Sequence, residues 1–256
     1  MSHPTRLFAA LGAALLAAGC ASHRPFDGSI VTDRPDFTES PVSVPRGAVQ
    51  VEMGNTYERT DDVRTNTLGE ALVRVGVPHG VELRFGLPSY VRAAGPAALD
   101  GASDSNLGAK VELVSGARAA GLVPTTALIV GAGLPTGARA FRAGGVSPEA
   151  KLLVGWSLGE SWALSSNLNV ASVAEGDART GELAGSLSLG RSLSDRAGAY
   201  LEWFGARPDG ARGSHYANGG VTWLLTAGQQ LDVRAGTGLG GNRRDFFMGL
   251  GLSQRW

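Results

Sequence analysis

The sequence predicts an all-β protein: an antiparallel up-and-down transmembrane β-barrel of about twelve strands, preceded by an export signal and a short polar leader. Three observations predict it. From Ala48 onward, segments of about ten residues alternate apolar and polar and end in clusters of Gly, Pro, Asn, Asp or Ser. Past the first twenty residues no run of about twenty apolar residues occurs, so a helical span is excluded on length. One face of the strands is persistently apolar while the opposite face carries charge, the pattern of a barrel with lipid outside and water within.

Residues 1–20 read as a signal peptide. A short polar start with one arginine precedes the apolar run LFAALGAALLAA, which is too short to span a bilayer permanently. The run ends in AAGC, which resembles a lipobox, so Cys20 is a lipidation candidate; ordinary cleavage nearby, with Cys20 discarded or left free, is the alternative. Either way the mature chain leaves the cytoplasm. Cys20 is also the sole cysteine, which excludes a disulfide framework and paired-cysteine metal sites.

Residues 21–46 form a leader too polar and proline-broken to be a strand, since Pro35, Pro41 and Pro45 cannot donate ladder hydrogen bonds. Asp33, Arg34, Asp36 and Glu39 make it densely charged. It is either a disordered periplasmic leader or a plug folded up into the lumen, with Arg34 and Asp36 as its anchors to the wall. About twenty extended residues span well over about 30 Å, enough to enter and return.

Residues 47–256 supply the barrel. The strands fall at approximately 47–59, 67–77, 81–92, 104–115, 122–134, 148–158, 162–174, 181–190, 197–208, 215–226, 230–240 and 245–256. Joins at 78–80, 159–161 and 227–229 are tight, with slightly longer ones at 116–121 and 191–196, whereas those at 60–66, 93–103 and 135–147 are longer, so short and long loops should tend to alternate between the two ends. The apolar face includes Val49, Val51, Met53 and Tyr57; Val73, Val75 and Val77; Val81, Leu83, Phe85 and Leu87; Leu152, Val154, Trp156 and Leu158.

The opposite face supplies the lumen and transport candidates Glu52, Glu70, Arg74, Glu82, Arg84, Lys110, Glu112, Glu149, Lys151, Glu202, Asp232 and Arg234. Opposite charges recur two apart on one strand, as in Glu82/Arg84 and Asp232/Arg234, which suits either a structural ladder or a solute path. Trp156, Trp162, Trp223 and Trp256 gather near one end of the strands and Tyr57, Trp203 and Phe246 near the other, as interfacial girdles would. The last strand, FFMGLGLSQRW, resembles the terminal signal of outer-membrane barrels, which makes Trp256 an assembly signal for the barrel-assembly machinery.

Several segments together resemble an outer-membrane transporter family named for the MetA pathway of phenol degradation: TDRPDFTESPVSVPRGAVQVEMG at 32–54, GVELRFGLPSY at 80–90, SNLGAK at 105–110, GLPTG at 133–137, AYLEWFG at 199–205 and VTWLLTAGQQLDVRAGTGLGG at 221–241. The resemblance implies an exported porin-like barrel in the outer membrane that moves small, aromatic or hydrophobic solutes, and it implies no particular substrate.

Little in the sequence points to chemistry. The 23 basic and 23 acidic residues balance without runs, so nucleic acid is not an expected partner. His215-Tyr216-Ala217-Asn218 resembles the histidine cluster of outer-membrane lipid hydrolases, but Ala217 stands where their serine nucleophile would be. GAGLPTG and GTGLGG lack the Lys-Ser/Thr ending of a phosphate loop. No enzyme activity, cofactor or metal is therefore expected. The expected partners are outer-membrane lipids, the assembly machinery and small-molecule solutes. The leading reading is a channel or transporter; its rivals are a closed structural or surface-interaction barrel and, further off, a lipid-modifying enzyme.

Overall fold

In the computed structural model the described residues are 28–116, 123–176, 178–242 and 245–256. The signal, with Cys20, lies outside them. Strand β1 (Val49–Thr60) is followed by β2 (Val63–Val77), β3 (Val81–Leu87), β4 (Tyr90–Ala94), β5 (Leu99–Ala102), β6 (Ser105–Val114) and β7 (Thr125–Leu134). The second half holds β8 (Ser147–Leu158), β9 (Trp162–Glu175), β10 (Ala178–Ser192), β11 (Ala197–Pro208), β12 (Ser214–Thr226), β13 (Gln229–Gly238) and β14 (Phe246–Arg255).

β3 and β4 both pair with β2 and are two halves of one strand interrupted at Pro88, and β5 and β6 are likewise halves of the next, so the wall has twelve strands. Every pairing is antiparallel. β1 bonds to β2 on one side and to β14 on the other, which closes the sheet into a barrel. Trp256 fastens that seam, because its N–H donates to the Val49 carbonyl at 2.9 Å and its own carbonyl accepts from the Val49 N–H at 3.0 Å.

Side chains alternate between two surfaces with a period of two. In β14 the residues Phe247, Gly249, Gly251, Ser253 and Arg255 are buried, while Met248 and Leu250 are exposed. The same inversion runs round the barrel, with buried Arg74, Lys110, Gln50, Glu52 and Glu82 inside and exposed Leu168, Leu187, Leu201, Val221 and Val233 outside. In a soluble protein such a surface would be an aggregation hazard; in a bilayer it is the lipid contact. Trp162, Trp203 and Trp223 are all more than 40% exposed on that outer face.

Two expectations about loops need correction. The residues 60–66, expected to be a long join, contain a two-residue turn at Asp61 and Asp62, with Asp61 at a φ of 50° and β2 already under way at Val63. Here Arg64, Thr65, Asn66 and Thr67 extend the hairpin without apolar alternation, so the sequence pattern stops before the strand does. At the opposite end β6 stops at Val114 and β7 starts only at Thr125, a longer join than the tight turns at 78–80 and 159–161. Short and long loops therefore do not alternate regularly between the ends.

Candidate functional site: the lumen and its inward loop

All twelve charged residues singled out on the strands face the inside of the barrel, but they do not line an empty tube. Residues 28–47 enter from the end where the two ends of the wall meet, run to mid-barrel and return. The Arg255 guanidinium binds the Gly28 carbonyl at 2.8 Å at the entry, and the Ile30 N–H donates to Ala227. At the far reach the N–H groups of Phe37 and Thr38 donate to the Glu202 carboxylate at 3.0 and 2.7 Å. On the way back the N–H groups of Ser43 and Val44 donate to Glu112 at 2.6 Å and Glu82 at 2.8 Å. A loop that forms no strand must find partners for its buried amides elsewhere, and the inward carboxylates supply them.

Asp33 is the centre of the attachment. Its Oδ2 lies 2.6 Å from Arg84, 3.1 Å from Lys110 and 3.6 Å from Arg74. Arg74 also reaches Glu52 at 2.6 Å and Glu82 at 2.8 Å, so three carboxylates and three cations interlock across β1, β2, β3, β6 and the loop. Burial alone would push the Asp33 carboxyl up, but Arg74, Lys110 and Arg84 outweigh it and hold its pKa well below the usual carboxylate range. Glu39 extends the network to Arg84 at 2.8 Å and Lys151 at 3.3 Å, and Lys151 lies 3.6 Å from Glu149.

The anchors expected from sequence hold less tightly. Arg34 pairs with Glu70 at 3.4 Å and Asp232 at 3.6 Å, and Asp36 receives a single hydroxyl, that of Ser188, at 3.2 Å. Asp36 sits beside Glu202; burial and that second negative charge push its pKa above the usual value. Arg234 holds the carbonyl of Pro35 at 3.0 Å. The strongest attachments thus run through Asp33 and Glu39, whose roles require knowing which wall residues they meet.

The wall is shaped for this loop. A Cβ on Gly54 or Gly251 would overlap the Arg34 guanidinium, one on Gly76 would overlap the Pro45 carbonyl, and one on Gly155 would press on Pro41 at 3.0 Å. Across the lumen the loop meets rings instead of ions. Phe37 stacks on Phe204 with centroids 4.8 Å apart, Phe204 on Tyr216 at 5.1 Å, and Phe247 packs against both, with Arg234 over its face at 5.5 Å. The sequence reading did not identify this cluster. Phe204, Tyr216 and Phe247 stand at inward positions of β11, β12 and β14, and extending the period-two reading to aromatics would have found them.

Two water-accessible spaces flank the loop. One, of about 340 Å³, lies beyond it and is bordered by Arg34, Glu39, Glu70, Arg84, Glu149 and Lys151. The other, of about 420 Å³, lies along β8 to β12 near the turn at 159–161 and is bordered by Arg34, Pro35, Asp36, Ser188, Tyr200 and Thr222. Arg34 touches both. The remaining functional candidate, His215, is on the outer surface, stacked on Trp203 with centroids 5.7 Å apart. Among the described residues no group of three His, Cys, Asp or Glu is placed to hold a metal.

The family described as "Putative MetA-pathway of phenol degradation" matches residues 32–256. Among solved structures, an outer membrane channel from Pseudomonas putida F1 aligns at a TM-score of 0.67 and 15% identity, over 92% of this chain and 100% of that one. The NanC porin aligns at 0.56 and 8% identity, over 80% and 98%. The translocator domain of the autotransporter NalP from Neisseria meningitidis aligns at 0.52 and 12% identity, over 99% and 98%. At these identities the likeness is one of fold, that of outer-membrane β-barrels. No curated protein matches the sequence.

Proposed function

Since the chain belongs to the family described by the MetA pathway of phenol degradation, and its lumen is divided by a built-in loop, we propose that it is an outer-membrane channel for small solutes whose passage is set by residues 28–47. The observation that carries this reading is the pair of spaces of about 340 and 420 Å³ on either side of Arg34. A solute moving between them must pass the loop. The end bearing the entry of residue 28 and the tight turns faces the periplasm, as short turns do in bacterial barrels.

The two sides of the passage favour different parts of a solute. Arg34, Arg84 and Lys151, set against Glu39, Glu70 and Glu149, offer polar and ionic contact, while Phe37, Phe204, Tyr216 and Phe247 offer planar stacking. That combination suits small aromatic or hydrophobic compounds carrying a polar group. A second reading, a barrel closed at rest, draws support from the fully paired Asp33 network, which gives the loop a strong seat.

Planar-bilayer recordings test the proposal. Deleting residues 26–44 while keeping the signal should raise single-channel conductance several-fold and admit larger sugars in liposome swelling. Unchanged conductance in a folded deletion would reduce the loop to a tether. Intact protein that excludes even the smallest sugars would favour the closed barrel.

A further inference from the structure

Most of the barrel's outer surface is filled by aliphatic side chains, but one part of it is hollow. Gly185 of β10 and Gly205 of β11 are direct cross-strand partners, and both face outward. Leu168 of β9 stands opposite Gly185 on the other side, and His215 of β12 stands opposite Gly205. Two adjacent outward positions without side chains leave a notch of about 550 Å³, floored by Leu168 and Leu183 and walled by Trp203. The imidazole of His215 lies over Gly205, where a Cβ would come within 2.6 Å of its Nδ1. On the side toward the strand ends the border is cationic: Arg207 and Arg212 line the notch and no carboxylate does. Asp209, between them in sequence, leans against Gly181 instead, its N–H donating to the Gly181 carbonyl at 2.8 Å.

We propose that this notch binds one phosphorylated glycolipid of the outer leaflet, of the lipid A type, with an acyl chain in the Gly185–Gly205 hollow and its phosphates on Arg207 and Arg212. Three features match this occupant. An aliphatic floor at membrane depth takes a chain, guanidinium groups at strand-end height take phosphate oxygens, and Trp203, two residues deeper than Gly205 on β11, bounds the hollow on its inner side with a flat apolar face. The notch lies at the end opposite the entry of the inward loop, which is the end facing the outer leaflet. The inference is independent of the solute path, since none of these side chains faces the lumen.

The test uses full-length mature protein in phosphatidylcholine nanodiscs, titrated with diphosphoryl lipid A and, separately, with phosphatidylglycerol, and read by native mass spectrometry and tryptophan fluorescence. One saturable lipid A per barrel is expected, at least tenfold tighter than phosphatidylglycerol. Binding should fall about tenfold or more in Arg207→Ala/Arg212→Ala and in Gly185→Leu. The second variant fills the hollow at little cost to the wall, because a Cβ there meets only the Asn167 carbonyl oxygen, at 3.5 Å. Heat-modifiable gel migration checks that each variant is a closed barrel. Equal binding of the two lipids, or undiminished binding in either folded variant, would overturn the proposal.

Discussion

The two sides of the lumen hold the same loop by different physics. Toward β2, β3, β6 and β8 the contacts are ionic: Asp33 and Glu39 meet Arg74, Arg84, Lys110 and Lys151 at 2.6 to 3.6 Å. Toward β10, β11, β12 and β14 they are rings, hydroxyls and the single carboxylate of Glu202, which collects the N–H groups of Phe37 and Thr38, the Thr38 hydroxyl and the Asn218 amide. Buried ion pairs are costly to break because each lost partner strands a charge in low dielectric. Ring contacts and a shared acceptor can slide. The root of the loop is therefore fixed and its tip adjustable, a division suited to a constriction that must admit a solute without leaving the barrel.

Removing Asp33 should give the largest effect. Asp33→Ala removes the nearest carboxylate of Lys110 and one partner each from Arg84 and Arg74, so a loss of about 3–5 kcal/mol in the seating of the loop is expected. A glutamate-specific endoproteinase should then cut after Glu39, which the seated loop holds against Arg84 and Lys151, and conductance should approach that of the loop deletion. Protection equal to wild type would show that the ionic side does not carry the seat.

Phe37→Ala probes the other side and should cost less, about 0.5–1.5 kcal/mol for the lost stacking. Its signature is selectivity: block by a small phenol should weaken while block by a sugar of similar size is unchanged. Equal loss for both solutes would remove the stacking role.

The two aspartates separate the sides by pH. Asp33, with its pKa lowered, stabilises the seat above its ordinary value of about 4, and that contribution is lost as pH falls below it. Asp36, with its pKa raised, favours the seated tip while protonated, and that contribution is lost as pH rises through the raised value. The groups facing Asp36 are Glu202, the Ser188 hydroxyl and the Tyr200 phenol, with Asp33 further off along the loop. Conductance should accordingly rise as pH climbs above the ordinary carboxylate range, and Asp36→Asn should flatten that rise. An identical profile in the variant would assign it elsewhere.

The smallest expected effect on stability comes from Arg34→Ala, because both its ion pairs are long and it is partly exposed. Its effect on conductance should exceed its effect on melting, since the guanidinium borders both spaces. A change in melting without a change in conductance would move the constriction away from Arg34.

Closed-barrel architecture was legible because a membrane imposes it locally. Each strand must show lipid one face and water the other, so the alternation at Val81, Leu83, Phe85 and Leu87 against Glu82 and Arg84 identifies both the strand and the side of each residue without knowledge of any neighbour. Where lipid no longer imposes that pattern, as at Arg64 to Thr67, the strand boundary was misplaced. The leader was legible as charged and strand-incompatible, but two descriptions of it stood open. Which of its charges became anchors was decided by contacts between residues far apart in sequence, Asp33 to Arg84 and Lys110 among them. The same holds for the Gly54 and Gly251 seats, the ring cluster and the outer notch. Periodicity assigns a residue to a face, whereas cross-strand register assigns its neighbours, and only the closed sheet sets that register.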